Sequence, residues 1–544
     1  MRSVMQHVFS QVPHADIPRS GFPALFSNKT CMDPGILYPV IVRQVYPGST
    51  FNLDTLLFAR LNPQKVAPLD NLKATVFWFG IPNRLLWTHW VNMMGARENP
   101  GDSIDYTVPQ MSCPNGGFGF DTIYDYMALV NPGVANHPTV SALYARAYNL
   151  VWHQWFRTEY LQNAPALNYG DGPDTYSDYP LRRRGKRFDY FTSCLPWPQK
   201  GPGVEIPLGT TAPVIGDGNN LLFTVGSGTD ITSLYATNNA SGGSSVYNEV
   251  GYTKAVGTND GMKLATSNSG AIVDLSEASA ATINTLRTAF QIQRLYERDA
   301  RSGSDRYTEI LQAHFGVTSP DARLQRAEYL GGGTVPVNMQ LTYQSSSTDN
   351  TTPQGNIVAN GTIAINGLGF TKSFVEHTII MCLVCIDADL NYQYGIPREA
   401  SRKSRFDFYW PVLSHLGEMG VLNQEIYAQA TTVVDANGDE VNKNVFGYQE
   451  AWADIRYGKA NITSRFRSNS VDSQGNSNTL DAYHYAEAET QLPVLGDSWI
   501  QSNPPLSRSL AITSEPAFLV DVVAKGKMVL PMPTYSVPGL IDHF

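Results

Sequence analysis

Arg182-Arg183-Arg184-Gly185-Lys186-Arg187 is the densest run of charge in this 544-residue chain, and Phe188, Tyr190, Phe191 and Trp197 follow it closely. Cations beside aromatic rings suit a single-stranded nucleic acid, since the charges meet phosphates while the rings stack on bases. A solvated or ion-paired loop is the plainer reading of the same residues. One such patch binds weakly, but many copies on a closed surface would act together.

Other residues of chemical interest point away from catalysis. Cys382-Leu383-Val384-Cys385 has the spacing of half a zinc site or a redox pair, yet it sits in the apolar run Ile379–Ile386, which reads as a buried strand. Positions i and i+3 of a strand face opposite ways, so the two sulfurs should diverge into separate parts of the core. Asp387 and Asp389 are two apart at that strand's end and could share a face, the minimum for a glycosidase pair or a cation site. Acids that cap turns at strand ends are commoner. The chain has no GxSxG, HExxH or GxxxxGK[ST] pattern, and its ten His are scattered. No catalytic, cofactor or metal site is therefore expected, and the protein reads as no enzyme.

The elements that must position these residues are mostly strands. With 45 Gly, 34 Pro and 28 Tyr spread throughout, the backbone is punctuated too often for long helices, so all-β is the leading class. The spacing predicts strands over Tyr38–Val45, Ala74–Phe79, Phe370–Asp387, Arg405–Val412, Gln424–Val434 and Phe518–Val529. Their wide separation describes a β-sandwich with large excursions between strands. Apolar positions recurring at three and four predict a helix from Thr139 to about Gln162, a second over Ala281–Asp299, and a third from Tyr307 to Gly316.

Between Pro207 and Ser279, 36 of 73 residues are Gly, Ser, Thr or Asn, which marks the stretch as an insertion. Its β-prone runs, Leu221–Val225, Ser245–Tyr252, Met262–Thr266 and Ala271–Leu275, read as small hairpins on an exposed excursion, where recognition usually happens. The end of the chain is apolar but broken by three prolines, so it is no helix. Tyr535, Val537, Leu540, Ile541 and Phe544 then need a groove, and a neighbouring subunit is the favoured place for it.

A formal net charge of -9 argues against coating nucleic acid through a generally basic surface. Five cysteines, an odd number, suggest a reducing compartment. The first residues lack a signal-peptide core and the best apolar run is far short of a membrane span, so a cytosolic protein without membrane insertion is expected.

Several long segments resemble the major capsid protein of the gokushovirus branch of the Microviridae. They are Arg182–Pro202, Thr285–Arg326, Arg405–Ala428, Lys29–Gly48, Asp70–Trp87 and the ending YSVPGLIDHF. The resemblance implies an eight-stranded antiparallel jelly roll, one domain over residues 1–544, with residues 207–279 as a surface insertion clustered at three-fold axes. It further implies about sixty copies in a T=1 icosahedral virion shell, assembled in the bacterial host cytoplasm around circular single-stranded DNA. Other virion or assembly proteins and a bacterial surface receptor, met through 207–279, would be its partners. The competing readings are a carbohydrate-active jelly-roll enzyme, with Asp387 and Asp389 as its acids, and a stand-alone nucleic-acid-binding module.

Overall fold

The computed structural model describes residues 17–204, 283–301, 306–349 and 353–535, together with short backbone strands between 214 and 273. The chain divides into two compact units, Met1–Lys200 with Glu297–Phe544, and Gly201–Tyr296.

The first unit is built on a strand that is apolar along its whole length. All of Thr378–Ala388 (TIIMCLVCIDA) is buried, so both of its faces must be covered. Ile380, Cys382, Val384 and Ile386 belong to the core between two sheets. Ile379, Met381 and Leu383 belong to a second core, shared with the helix Leu143–Val151. A continuous apolar run is what two-sided burial requires, whereas a strand with one wet face alternates. Thr50–Leu61 shows that alternation: Phe51, Leu53, Thr55, Leu57, Ala59 and Leu61 point inward, and Asn52, Asp54, Phe58 and Arg60 point to solvent.

Both sheets are antiparallel. The smaller has four strands in the order Glu328–Pro336, Leu72–Pro82, Thr378–Ala388, Tyr38–Val45. The larger has six, in the order Ser20–Met32, Phe518–Leu530, Thr50–Leu61, Ile357–Asn366, Asn338–Tyr343, with Phe370–Ser373 also paired to Thr50–Leu61. Along the chain the path passes from Ser20–Met32 in the larger sheet to Tyr38–Val45 in the smaller, back to Thr50–Leu61, and over again to Leu72–Pro82. After Glu328–Pro336 it returns to the larger sheet, crosses to Thr378–Ala388 and ends in Phe518–Leu530. This switching between two packed sheets is the jelly-roll path. Trp78 ties the layers together by donating its indole N–H to Thr55 Oγ1 at 2.8 Å.

Two very long connections leave the sandwich, 83–327 and 389–517. The first carries the helices Leu143–Val151, Ile283–Arg301 and Tyr307–Phe315. The last two lie close to their expected spans, and Gly316 ends its helix at φ 67, donating its N–H to the Gln312 carbonyl. The helix expected to reach Gln162 is shorter: its α-helical part stops at Val151, and a wider π turn over Trp152–Phe156 follows. That turn seats Phe156 against Phe77 and Trp155 against Phe79, at 5.0 and 5.5 Å between ring centres.

Three strand expectations need correction. Phe370–Asp387 is interrupted between Ser373 and Thr378, because there the chain crosses from one sheet to the other. Arg405–Val412 forms tight turns instead, with the Asp407 carboxylate accepting the backbone N–H groups of Lys403 and Ser404. Gln424–Val434 begins in a helical turn, Asn423–Ile426, held by a Glu425 carboxylate that accepts the Leu422 N–H. In both segments local side-chain bonds satisfy part of the backbone, and the second makes only isolated bridges, Tyr427 to Tyr394 and Val434 to Glu440.

Arg146, on the helix Leu143–Val151, and Asp174 brace two parts of the long connection against each other with side chains only 2% and 1% exposed. Asp174 accepts two bonds from that guanidinium, at 2.6 and 2.8 Å, and further bonds from Asn168 and Tyr179. Removing one member leaves the other charge buried and unpaired. We expect Asp174→Ala to lower unfolding stability by about 3–5 kcal/mol, read as an earlier midpoint in urea.

Candidate functional site

The basic segment is laid down as a β-like bridge. Arg182 O accepts from Leu37 N, and Arg184 N donates to Gly35 O, which fixes one side to the turn before Tyr38–Val45. On the other side Lys186 N donates to Ile500 O, and Arg184 O accepts from Ser502 N. The segment therefore joins the sandwich to the 389–517 connection.

Its side chains follow the same plan. Arg184 donates to Asp387 Oδ2 at 2.8 Å and lies over the Phe77 ring, while Arg187 reaches the same oxygen at 3.5 Å. Arg183 donates to the carbonyls of Pro34 and Ser502. Arg182 lies over Trp152 and donates to Asn149 Oδ1. Lys186 is buried, pairs with Glu487 at 2.8 Å and sits 4.5 Å from the centre of the Trp499 ring. Among the three ion-paired members, side-chain exposure is 6% for Lys186, 22% for Arg184 and 37% for Arg187. Arg187 is thus the one most open to an outside anion.

Asp387 and Asp389 do not act as a pair. Asp387 is 4% exposed and held between two guanidiniums, with the Cys385 thiol donating to its other oxygen. Asp389 is paired instead with Lys73 at 2.5 Å. The strand end is a charge clamp. A buried acid closing an apolar run was the sequence signal that a cation had to be found for it.

The two sulfurs diverge as strand geometry requires. Cys382 lies in the core between the sheets, and Cys385 lies with Leu37 and Trp152 on the opposite face. Burial pushes both thiols up from their ordinary value. Among the described residues no group of three or more His, Cys, Asp or Glu is placed to hold a metal ion.

At the chain end, Met528 and Leu530 pack on the main core, while Tyr535 is 78% exposed. Val537, Leu540, Ile541 and Phe544 lie outside the described residues. Within the insertion the expected β-prone runs contain the strands Phe223–Val225, Tyr247–Tyr252, Lys263–Leu264 and Ala271–Val273. Val214–Gly216 pairs antiparallel with Ala271–Val273, so this excursion starts and finishes on adjacent strands.

Residues that the sequence reading passed over gather beside the basic segment. Phe77, Phe79, Trp155, Glu159, Glu309 and Tyr329 line a cavity of about 880 Å³, with Arg184 and Arg187 on its wall. Glu159 is 7% exposed and lies 3.2 Å from Arg306. No sequence motif links these positions, because they converge only once the long connection is folded.

The capsid protein (F protein) family model matches residues 10–540. Capsid protein VP1 of Bdellovibrio phage phiMH2K is 39% identical to this chain, over 99% of it and 98% of that protein. Capsid protein VP1 of Chlamydia phage 1 is 38% identical over 99% and 98%, and that of Spiroplasma virus 4 is 32% identical over 98% and 97%.

Next to Lys186, burial and the neighbouring Glu487 raise the Glu489 carboxyl from 4.5 to about 7, against the opposing influence of Trp499 and Lys186. The folded protein keeps this proton between those values while the unfolded chain releases it, so stability falls as pH rises from about 4.5 to 7. Glu489→Gln should raise stability at pH 7.5 by about 2–3 kcal/mol and flatten that part of the profile, measured by denaturant unfolding at a series of pH values.

Proposed function

This chain belongs to the capsid protein (F protein) family, and from that premise we propose that about sixty copies close into a T=1 shell around circular single-stranded DNA. The coarser part needs no proposal. The protein is a major capsid protein, a structural subunit that self-assembles into the shell of a virion, and the carbohydrate-active alternative has no support. Among the described residues no helix is long and apolar enough to cross a membrane.

The observation that carries the reading is the end-to-end match to capsid proteins by a chain that folds as a jelly roll with two long connections. A two-sheet tile with elaborated loops supplies a stiff body and several surfaces for neighbours, which closed symmetry needs. Expression of the full chain should give uniform icosahedral particles in electron micrographs. A persistent monomer at high concentration would refute self-assembly.

Single-stranded DNA is proposed as the cargo because cations and aromatic rings lie side by side in the basic segment. Every member has an internal partner, but Arg187 has the longest ion pair, 3.5 Å to Asp387, and among the three ion-paired members the most exposed side chain, so it is the member we assign to phosphate. Arg187→Gln should reduce DNA per particle or make its retention more salt-sensitive, with the fold intact, whereas unchanged nuclease-protected DNA would remove this residue from the contact.

The insertion is proposed as the host-contacting protrusion. Its support is that Gly216 and Ala271 are paired neighbours on adjacent strands, which stand about 4.8 Å apart. Replacing residues 217–270 by an Asn-Gly turn should leave shells intact and abolish attachment to the host. Loss of shells would assign the insertion to subunit contacts instead. The apolar tail is proposed to dock on a neighbouring copy, and removing residues 539–544 should leave soluble subunits that do not close a shell.

A further inference from the structure

The cavity beside the basic segment has the makings of a ligand site that the shell-building role does not explain. One wall is aromatic: the rings of Phe79, Trp155 and Tyr329 lie 5.5–6.0 Å apart and are tilted to one another by 43–62°. Arg326 already lies over Trp155, and Tyr329, 41% exposed, offers the ring on which a flat base can stack. The facing groups are polar and incompletely bonded. Glu159 turns Oε1 toward Arg306 at 3.2 Å, and its buried Oε2 has no hydrogen-bond partner. Glu309 does likewise, with Oε1 3.6 Å from Arg306 and Oε2 buried without a partner. Burial is the first cause of the raised Glu309 carboxyl pKa. Arg187 is held to Asp387 through Nη2 only at 3.5 Å, and its buried Nε is unbonded.

A buried polar atom without a partner is destabilising, and residues carrying three of them line one cavity. A ligand that stacks and offers donors to the carboxylates would satisfy them together. We propose that this cavity takes a nucleotide, with the base on the aromatic wall, its N–H groups donating to Glu159 and Glu309, and Arg187 donating to the phosphate. Both carboxylates lie within 3.6 Å of the same Arg306, and each keeps one buried oxygen without a hydrogen-bond partner. Guanine fits best, because N1–H and the 2-amino group lie side by side on its Watson–Crick edge. Adenine and cytosine offer one amine there, and thymine one N–H. The inference deepens the DNA reading of the basic segment and rests on it when the source is the packaged strand; a free nucleotide has the same chemistry.

Two measurements on the full-length protein separate these sources. DNA-filled particles are irradiated with ultraviolet light, digested and read by mass spectrometry, and a nucleotide adduct is expected on Trp155 or Tyr329. Separately, deoxyguanosine and deoxyadenosine monophosphates are titrated onto the soluble subunit and followed by tryptophan fluorescence. At least tenfold tighter binding of the guanine nucleotide is expected, with that preference lost in Glu309→Leu. Adducts in particles identify the packaged strand as the source, and mononucleotide binding without adducts identifies free nucleotide. Absence of both overturns the proposal, and particle yield and DNA content, scored on the same material, test the capsid reading independently.

Discussion

Two-sided burial of Thr378–Ala388 is the constraint on which the rest of the subunit depends. A central strand with no wet face cannot belong to a simple sandwich, because the sheet's outer side would be left as bare hydrocarbon. The chain resolves this by bringing the 83–327 connection back over the smaller sheet. Leu143–Val151 supplies the cover by packing on Phe79, Ile81, Ile379, Met381 and Leu383, and the buried Arg146–Asp174 pair ties that helix to the rest of the same connection. The large connection is thus partly a structural third layer.

The end of the same strand explains the basic segment. Asp387 is buried where the strand leaves the sheet, and an isolated carboxylate there would be costly. Arg184 and Arg187 neutralise it, and in doing so they draw the segment into a bridge between Gly35–Leu37 and Ile500–Ser502. A run of charge that looks available for outside partners is largely committed to internal ones. What it leaves over is small and specific: one partly open guanidinium and a cavity lined by residues that carry unpaired polar atoms.

Much of this was legible. The continuous apolar run announced a strand covered on both sides, and its i, i+3 cysteines announced opposite faces. The three- and four-residue periods located Ile283–Arg301 and Tyr307–Phe315 closely. Thr50–Leu61 went unread because only its burial alternates: Thr55 points inward, Phe58 outward, and the run Leu56-Leu57-Phe58 breaks the alternation of apolar and polar residues. Glu328–Pro336 contains three glycines and forms a strand through pairing with Leu72–Pro82, a tertiary effect that overrides local preference. Conversely, the aromatic Arg405–Val412 has strand-like composition, yet among the described residues no strand pairs with it. Glu159, Glu309 and Arg187 sit far apart in the chain, so their approach could be seen only after folding.

The interior thiols carry one last consequence. Cys194, Cys382 and Cys385 are all free, and each has its ionisation suppressed chiefly by desolvation. Thiolate is the form that oxidises or exchanges, so these three sulfurs are chemically quiet. An oxidising medium therefore finds little thiolate in the core to attack.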